Sequence, residues 1–230
     1  MKDRTLLIDI GNSRIKLTFA GPTPPRDFAV IKKEKLKEKL IYSGAELIIY
    51  SSVNPEVEKI VLSIDSIEKK RISADKIDKP KLNYYPISSL GDDRVANILS
   101  AYKLYGETVA VVDFGTAITV DIIKNGEYIG GGIFPGISLL LESLNIGTKL
   151  VKPDSFKPQL KPGKSTKESV SSAITNSIVG MIKNYLNLNR VRNLVFTGGY
   201  GRIFLRYFRS AHYDPLLTLK GLYFYGQLFL

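Results

Sequence analysis

Two short segments of this chain repeat the same order of residue types, and this repeat constrains the fold more than any other feature. Residues 6–13 and 111–117 each run from apolar, β-prone residues to aspartate, an apolar residue, glycine and a small residue. A second β-prone segment follows each copy. The two aspartates, Asp9 and Asp113, are 104 positions apart (113 − 9). Because we find two copies and no shorter period, we predict two related halves rather than a solenoid. Halves that face each other would bring both turns to one cleft.

The bulk composition is that of an ordinary folded protein. The chain has 230 residues, of which 44% are apolar and 24% charged, and this length suits one large domain or two small ones. We predict two domains, at residues 1–106 and 107–230. No apolar stretch is long enough for a membrane helix. Asp9 and Gly11 interrupt the first apolar run, so we expect no signal peptide and a cytoplasmic protein. With no cysteine, the chain has no disulfide, zinc-thiolate site or cysteine nucleophile.

The chain carries a formal charge of +11, which attracts anions. The lysine-rich run 32–39 fits an exposed helix face, and the remaining basic residues are scattered. No zinc-finger, RRM or KH signature occurs. We therefore interpret the charge as a solvated surface or as a preference for phosphorylated small molecules, and we expect no nucleic-acid partner.

Hydrophobic periodicity predicts an alternation of strands and helices. Residues 92–105 carry apolar side chains at helical spacing and precede Gly106, and Ser165 with Glu168 forms a capping-box pattern. We predict a loop over 149–164 and a docked strand or helix over 216–230. The predicted strands are 6–10, 14–19, 46–51, 109–113, 118–123, 128–132 and 194–196, and the predicted helices are 33–42, 55–63, 92–105, 135–144 and 165–186.

The repeated turn is suited to binding a nucleotide. Glycine lets backbone amides approach phosphate oxygens, and the side chains of Asn12, Ser13 and Thr116 add neutral donors. The aspartate of each turn repels phosphate but binds a cation that bridges to it, and Lys16 supplies a positive charge. The alternative for either turn alone is an ordinary hairpin. The chain contains neither a P-loop nor a dinucleotide-binding motif.

Residues 91–94, Gly-Asp-Asp-Arg, stand at the start of the predicted helix 92–105. One interpretation is that Asp92 or Asp93 simply caps this helix and that both carboxylates favour the helix dipole. Alternatively, one carboxylate acts as a general base and Arg94 binds a substrate carboxylate with two hydrogen bonds. Two further segments are rich in glycine: residues 130–136 form a turn before a predicted helix, and residues 197–199 follow the predicted strand 194–196. The second segment leaves room for a base and ribose.

Taken in order, these motifs resemble those of type III pantothenate kinases. The resemblance covers nearly the whole chain; Ser13 stands where threonine is usual, and Asp92 replaces a small residue, which would raise the pKa of Asp93. The matching segments are residues 9–16, 91–94, 113–119, 131–136, 163–166, 197–199 and 217–222.

The resemblance implies an α/β fold with two ribonuclease H-like (actin-like ATPase) domains, each a mixed sheet flanked by helices. It implies transfer of the γ-phosphoryl group of ATP, with Mg²⁺, to the primary hydroxyl of pantothenate, the first step of coenzyme A biosynthesis. It also implies a homodimer whose interface lies in the C-terminal domain.

The resemblance further implies a role for each motif residue. Asp93 would accept the proton of the attacking hydroxyl, and Asp113 would hold a monovalent cation, K⁺ or NH₄⁺. Thr166 would reach substrate in the partner subunit's pocket. Pantothenate would also contact Gly91, Asp92, Asp93, Arg94 and Tyr84, with Tyr85 the alternative to Tyr84. ATP would contact Asp9, Ile10, Gly11, Asn12, Ser13, Arg14, Ile15, Lys16 and Thr116.

Two other functions remain open from the sequence. One is a different small-molecule kinase or phosphatase of the same superfold. The other is a non-catalytic transcription accessory protein of the same family. A protein without catalysis would be free to lose Asp9, Asp93 or Asp113, and all three are present, which favours an enzyme.

Overall fold

The computed structural model describes residues 4–148 and 156–229. The strands are β1 (Thr5–Ile10), β2 (Ile15–Phe19), β3 (Ala29–Ile31), β4 (Leu47–Ser52), β5 (Glu68–Arg71), β6 (Lys81–Leu82), β7 (Val109–Phe114), β8 (Ala117–Lys124), β9 (Glu127–Pro135), β10 (Leu194–Gly198) and β11 (Ala211–Tyr213). The helices are α1 (Lys33–Ile41), α2 (Pro55–Leu62), α3 (Asp92–Tyr105), α4 (Ile137–Thr148), α5 (Thr166–Asn189), α6 (Gly201–Phe204) and α7 (Leu217–Gly226).

The described chain forms two compact units. Unit 1 contains the residues up to 107 together with 125–129 and those from 216 onward, and unit 2 contains 108–124 and 130–215. These bounds differ from the division at 106/107 expected from the sequence, because two later segments belong to unit 1. The first two residues of β9 pair there with β6, with Lys81 opposite Glu127 and Leu82 opposite Tyr128.

The five-stranded sheet of unit 1 has the order β3-β2-β1-β4-β5. Strand β2 is antiparallel to β1 and β3, whereas β4 is parallel to β1 and β5 is parallel to β4. All residues of β1 and β4 are buried, as central strands covered on both faces should be. Helix α1 contributes Leu36 and Leu40 to the apolar core, and α2 contributes Val57 and Val61.

Unit 2 repeats this order as β9-β8-β7-β10-β11. Strand β8 is antiparallel to β7, β10 is parallel to β7, and β11 is parallel to β10. Helix α5 buries Ile174, Ile178 and Ile182 in the core of this unit, where Phe114 packs edge-on against Phe196. The repeat in the sequence therefore corresponds to a repeat in topology, and the expected α/β fold with two mixed, helix-flanked sheets is confirmed.

Helix α7 packs on α3 within unit 1. The Thr218 hydroxyl donates to Asn97 Oδ1 over 2.9 Å. Gly221 approaches the backbone of Ala96 so closely that a Cβ atom would overlap it. The tail that the sequence predicted as a docked strand or helix is thus a helix, and it belongs to unit 1.

The predicted elements with strong local signals agree with the structure. Helix α3 has the predicted bounds. Ser165 caps α5 by accepting from the amide of Glu168, and the Glu168 carboxylate accepts from the amide of Lys164. The prediction missed β3, β5, β6 and β11, which are short; β5, Glu-Lys-Lys-Arg, has no apolar alternation because it lies at a sheet edge. Residues 149–155 of the predicted loop lie outside the described residues.

Within residues 4–148 and 156–229, no helix combines the length and apolarity that crossing a membrane requires.

Candidate active site

The first aspartate–glycine turn connects β1 to β2. The amide of Gly11 donates to the carbonyl of Arg14 over 3.0 Å, and a Cβ atom on Gly11 would lie 3.0 Å from that oxygen. Ile10 and Ile15 flank the turn and are buried in the core, whereas Asn12, Ser13 and Arg14 are exposed. Any ligand contact of the two isoleucines must therefore use backbone atoms.

Asp9 lies at the end of β1 and is buried. Lys16 Nζ is 3.8 Å from its Oδ2, and the Ser51 hydroxyl donates to its Oδ1 over 3.1 Å. Burial raises the pKa of the Asp9 carboxyl, and the charge of Lys16 and the bond from Ser51 partly offset that rise. These two neighbours thus favour the ionised form that a cation site requires.

Asp92 and Asp93, at the N-terminus of α3, have different hydrogen-bond partners. The backbone amide of Ser52 donates to Asp92 Oδ2 over 3.0 Å, and the guanidinium of Arg71 donates to the same oxygen over 2.7 Å. Asp93 is partly exposed, its Oδ1 accepts from the amide of Arg94, and a Cβ atom on Gly91 would lie 2.9 Å from that oxygen. Glycine at position 91 therefore leaves space beside the Asp93 carboxylate.

Arg94 is only 5% exposed, and two aromatic residues orient its guanidinium. Its Nη2 donates to the Tyr128 hydroxyl over 2.7 Å, and its Cζ lies 5.6 Å from the centre of the Tyr84 ring, within cation–π range. The rings of Tyr84 and Tyr128 are 6.0 Å apart. Tyr85, by contrast, is 97% exposed, so Tyr84 is the tyrosine that joins this cluster.

The second aspartate–glycine turn connects β7 to β8 in unit 2. Asp113 is paired with Thr119 on β8 and with Thr197 on β10, so the three side chains share one face of the sheet. Both threonine hydroxyls are buried, and neither has a hydrogen-bond partner among the described residues. A carboxylate and two buried hydroxyls thus stand side by side.

Two glycines of unit 2, Gly198 and Gly136, allow their segments to approach this turn closely. Gly198 has φ +80°, and a Cβ atom there would overlap Asp113 Oδ1 and lie 2.6 Å from the backbone of Phe114. The amide of Gly136 donates to the carbonyl of Thr116 over 3.0 Å, and the Thr116 residue itself is exposed. The structure therefore brings the 113–117, 131–136 and 197–199 segments together.

Thr166 is exposed and lies in the first turn of α5. Gly163 allows the preceding loop to approach that turn, because a Cβ atom there would overlap the backbone of Glu168 and Ser169. In residues 4–148 and 156–229, no group of three or more His, Asp or Glu side chains is placed to hold a metal ion.

A family model described as type III pantothenate kinase matches residues 5–188, which is more than half of the chain. This chain belongs to the type III pantothenate kinase family. The match confirms the resemblance found in the sequence.

Curated type III pantothenate kinases and one solved structure are similar to this chain. The Thermosipho melanesiensis protein is 39% identical over 150 residues, 61% of this chain and 59% of that protein. The Persephonella marina protein is 36% identical over 84% of this chain and 77% of its own length. The chain thus spans less than two thirds of the first relative and more of the second. A Campylobacter jejuni structure, described as a candidate Baf family transcriptional activator, has TM-score 0.69 and 25% identity, and covers 96% of this chain and 97% of its own.

Sequence reasoning about this pantothenate kinase family member missed Tyr128 and Arg71. Tyr128 was predicted only as a strand residue, yet it is fully buried, and its hydroxyl accepts from Arg94. A buried tyrosine needs a hydrogen-bond partner, but the sequence does not reveal which residue 34 positions away provides it. Arg71 lies in the polar segment 68–71, which carries no motif.

Proposed function

We propose that this chain catalyses ATP-dependent phosphorylation of pantothenate to 4′-phosphopantothenate, the first step of coenzyme A biosynthesis, in the cytoplasm. The observation that carries the proposal is that two side chains lie next to each other on the first turn of α3. Asp93 is partly exposed, and Arg94 is buried and held in one orientation. Pantothenate has a carboxylate and a primary hydroxyl, the two groups that these side chains would bind. Family membership supports the same substrate.

Arg94 would anchor the carboxylate of pantothenate. A guanidinium has five N–H donors in a planar fork, and the bond to Tyr128 and the Tyr84 ring restrict its rotation. A preoriented fork loses little conformational freedom when it binds a carboxylate with two hydrogen bonds. Tyr84, Gly91 and Asp92 would complete the pantothenate contacts.

Asp93 would accept the proton of the attacking hydroxyl. Phosphoryl transfer depends mainly on alignment and charge neutralisation, and a positioned carboxylate orients the nucleophile as it loses its proton. The space beside Asp93 that Gly91 leaves open would admit the hydroxyl.

The turn residues would bind ATP. Three kinds of donor are suited to phosphate oxygens: the backbone amides of residues 12–14, the side chains of Asn12, Ser13 and Thr116, and the ammonium group of Lys16. Asp9 would bind the solvated cation that accompanies the triphosphate. When bound, Mg²⁺ would neutralise charge on the β- and γ-phosphates.

Asp113 would hold a monovalent cation, K⁺ or NH₄⁺. Such ions bind oxygen atoms, as K⁺ does in carbonyl-lined filters, and the Asp113 carboxylate with the Thr119 and Thr197 hydroxyls forms a set of oxygens alone. The lack of hydrogen-bond partners for both buried hydroxyls among the described residues supports this assignment, because buried polar atoms normally have a partner.

We expect turnover of pantothenate to require K⁺ or NH₄⁺, because an ion of suitable size would offset the negative charge that Asp113 brings to the second turn. The measurement is a coupled ADP-release assay with pantothenate and ATP in K⁺, NH₄⁺ or Na⁺ salts at constant ionic strength. Replacing both Thr119 and Thr197 by valine should raise the K⁺ concentration required at least about tenfold. Full activity in Na⁺ alone would contradict the cation assignment.

Replacing Ser51 by alanine should move the acidic limb of the pH profile of kcat/KM for ATP to higher pH. The Ser51 hydroxyl lowers the pKa of Asp9, so its loss raises that pKa, and Asp9 becomes ionised only at higher pH. Ser63→Ala, which removes an exposed hydroxyl bonded to the carbonyl of Ile60, is the control. An unshifted limb would count against an ionised Asp9 at the ATP site.

A homodimer is part of the proposal. Unit 2 exposes Ile133, Leu139 and Ile146, and burial of these side chains in an interface would stabilise a dimer. In such a dimer Thr166 would reach the partner's substrate pocket. Analytical ultracentrifugation tests the oligomeric state, and an isolated monomer at micromolar concentration would contradict it.

The second candidate function comes from the Campylobacter jejuni structure, whose description is of a transcriptional activator. The formal charge of +11 would support weak contact with DNA. Salt-sensitive binding to duplex DNA, with no turnover of pantothenate, would favour this function. Turnover of pantothenate but of no other alcohol in a panel of acceptors supports the kinase.

A further inference from the structure

Arg71, at the end of β5, connects three elements of unit 1 through one guanidinium. Its Nε donates to Asp92 Oδ2 over 2.7 Å, and its Nη1 lies 3.1 and 3.4 Å from the two carboxylate oxygens of Glu58. Its Nη2 donates to the carbonyl of Ser52 over 3.4 Å. The end of β4, helix α2 and the first residue of α3 therefore share a single cation.

Asp92 is held at a fixed place by this contact. Its Oδ2 accepts from both Arg71 and the amide of Ser52, and its side chain is 13% exposed. Burial raises the pKa of the Asp92 carboxyl, and Arg71 and the Ser52 amide oppose the rise. A buried carboxylate with its partners in place is strongly directional, so the contact sets the orientation of the first turn of α3.

The other contacts of this cluster keep Arg71 in place. The Tyr50 hydroxyl donates to Glu58 Oε1 over 3.1 Å. Burial, together with the Glu58 carboxylate, raises the pKa of Tyr50 to about 12. The Tyr225 hydroxyl donates to the carbonyl of Arg71 over 3.3 Å. Arg71 is thus restricted at both its side chain and its backbone.

We infer that Arg71 is a positioning residue of the pantothenate site, acting through Asp92 on the turn of α3 that carries Asp93 and Arg94. The inference rests on the proposed function, since it assigns a consequence to the same turn. Because the Asp92 carboxylate is mostly buried, it needs a charged partner, and Arg71 provides one. The side chain of Arg71 is 49% exposed, whereas those of Glu58 and Asp92 are only 12% and 13% exposed. Removing Arg71 therefore also costs stability, because it leaves two buried carboxylates without their cation. Its effect on orientation is distinguished by comparing the kinetics for pantothenate with those for ATP.

The test compares Arg71→Ala with Lys70→Ala, its neighbour on β5. Lys70 Nζ lies over the Phe229 ring at 4.5 Å and 3.7 Å from Glu68, so its removal deletes a lysine of the same strand without touching Asp92. We expect Arg71→Ala to lower kcat/KM for pantothenate about tenfold or more, because a small misplacement of reacting groups is costly. The KM for ATP should stay within about twofold, and Lys70→Ala should change neither value.

A double-mutant cycle with Asp92→Ala separates positioning from a general loss of structure. If Arg71 acts through Asp92, Arg71→Ala in the Asp92→Ala background should lower kcat/KM less than twofold further. Three outcomes would overturn the inference: an unchanged kcat/KM in Arg71→Ala, equal losses for ATP and pantothenate, or additive losses in the cycle. The wild-type protein in the same assay distinguishes the two proposals. No turnover by wild type overturns both, whereas an active wild type with an equally active Arg71→Ala overturns only the positioning role.

Discussion

Replacing Asp93 by asparagine is expected to lower kcat for pantothenate about 10²–10⁴-fold and to leave the Kd for ATP within about twofold. Asparagine has nearly the same shape, and its carbonyl oxygen can still accept from the amide of Arg94, as Asp93 Oδ1 does. The fold of the α3 turn should therefore persist. An amide cannot take a proton from the attacking hydroxyl, so only the chemical step should fail.

Steady-state kinetics with pantothenate and equilibrium binding of ATP measure the two quantities separately. Asp65→Asn is the matched control, because it makes the same exchange at an exposed position after α2, and it should leave kcat unchanged. Near-normal turnover by Asp93→Asn would refute its assignment as the proton acceptor. If Asp93→Asn lost both ATP binding and turnover, Asp93 would instead be assigned to the nucleotide site or to the fold.

Replacing Gly221 by alanine is expected to lower the free energy of unfolding by about 3 kcal/mol. The added Cβ would overlap the carbonyl group of Ala96 on α3, and backbone on both sides leaves no flexible side chain to move away. Helix α7 would have to shift outward, which would also weaken the bond between the Thr218 hydroxyl and Asn97. Chemical denaturation monitored by circular dichroism measures the change.

Gly180→Ala is the matched control for this substitution. Gly180 lies within α5, is exposed, and a Cβ atom there meets nothing within 4 Å. Alanine in a helix interior is favoured over glycine, so the control should raise the free energy of unfolding by about 0.5–1 kcal/mol. Equal stability of Gly221→Ala and wild type would contradict the close approach of α7 and α3.

The features that the sequence predicted well depend on neighbouring residues. Helix α3 was predicted with its exact ends because its apolar spacing and Gly106 are local signals. The cap of α5 by Ser165 follows from a pattern four residues long. Both aspartate–glycine turns were predicted because a strand, an aspartate and a glycine stand next to each other in the chain.

The features that the sequence did not predict depend on residues far apart in the chain. Arg94 meets Tyr128, 34 positions later, and Asp92 meets Arg71, 21 positions earlier. Strand β5 has a polar sequence, and it forms because β4 provides a parallel edge with which it can pair. Which of Tyr84 and Tyr85 faces Arg94 was open in the sequence, and packing against Tyr128 decides for Tyr84.

By itself, the sequence determined that the chain has two related halves, each with an acidic, glycine-containing turn, and that it resembles type III pantothenate kinases. It could do so because turn geometry and helix capping arise from contacts within a few residues. Only the tertiary structure decided that α7 joins unit 1 and that Arg71 and Tyr128 hold the two ends of the Asp92–Arg94 segment. Those partners are selected by burial, because a buried charge or hydroxyl must find a hydrogen-bond partner wherever the fold brings one within reach.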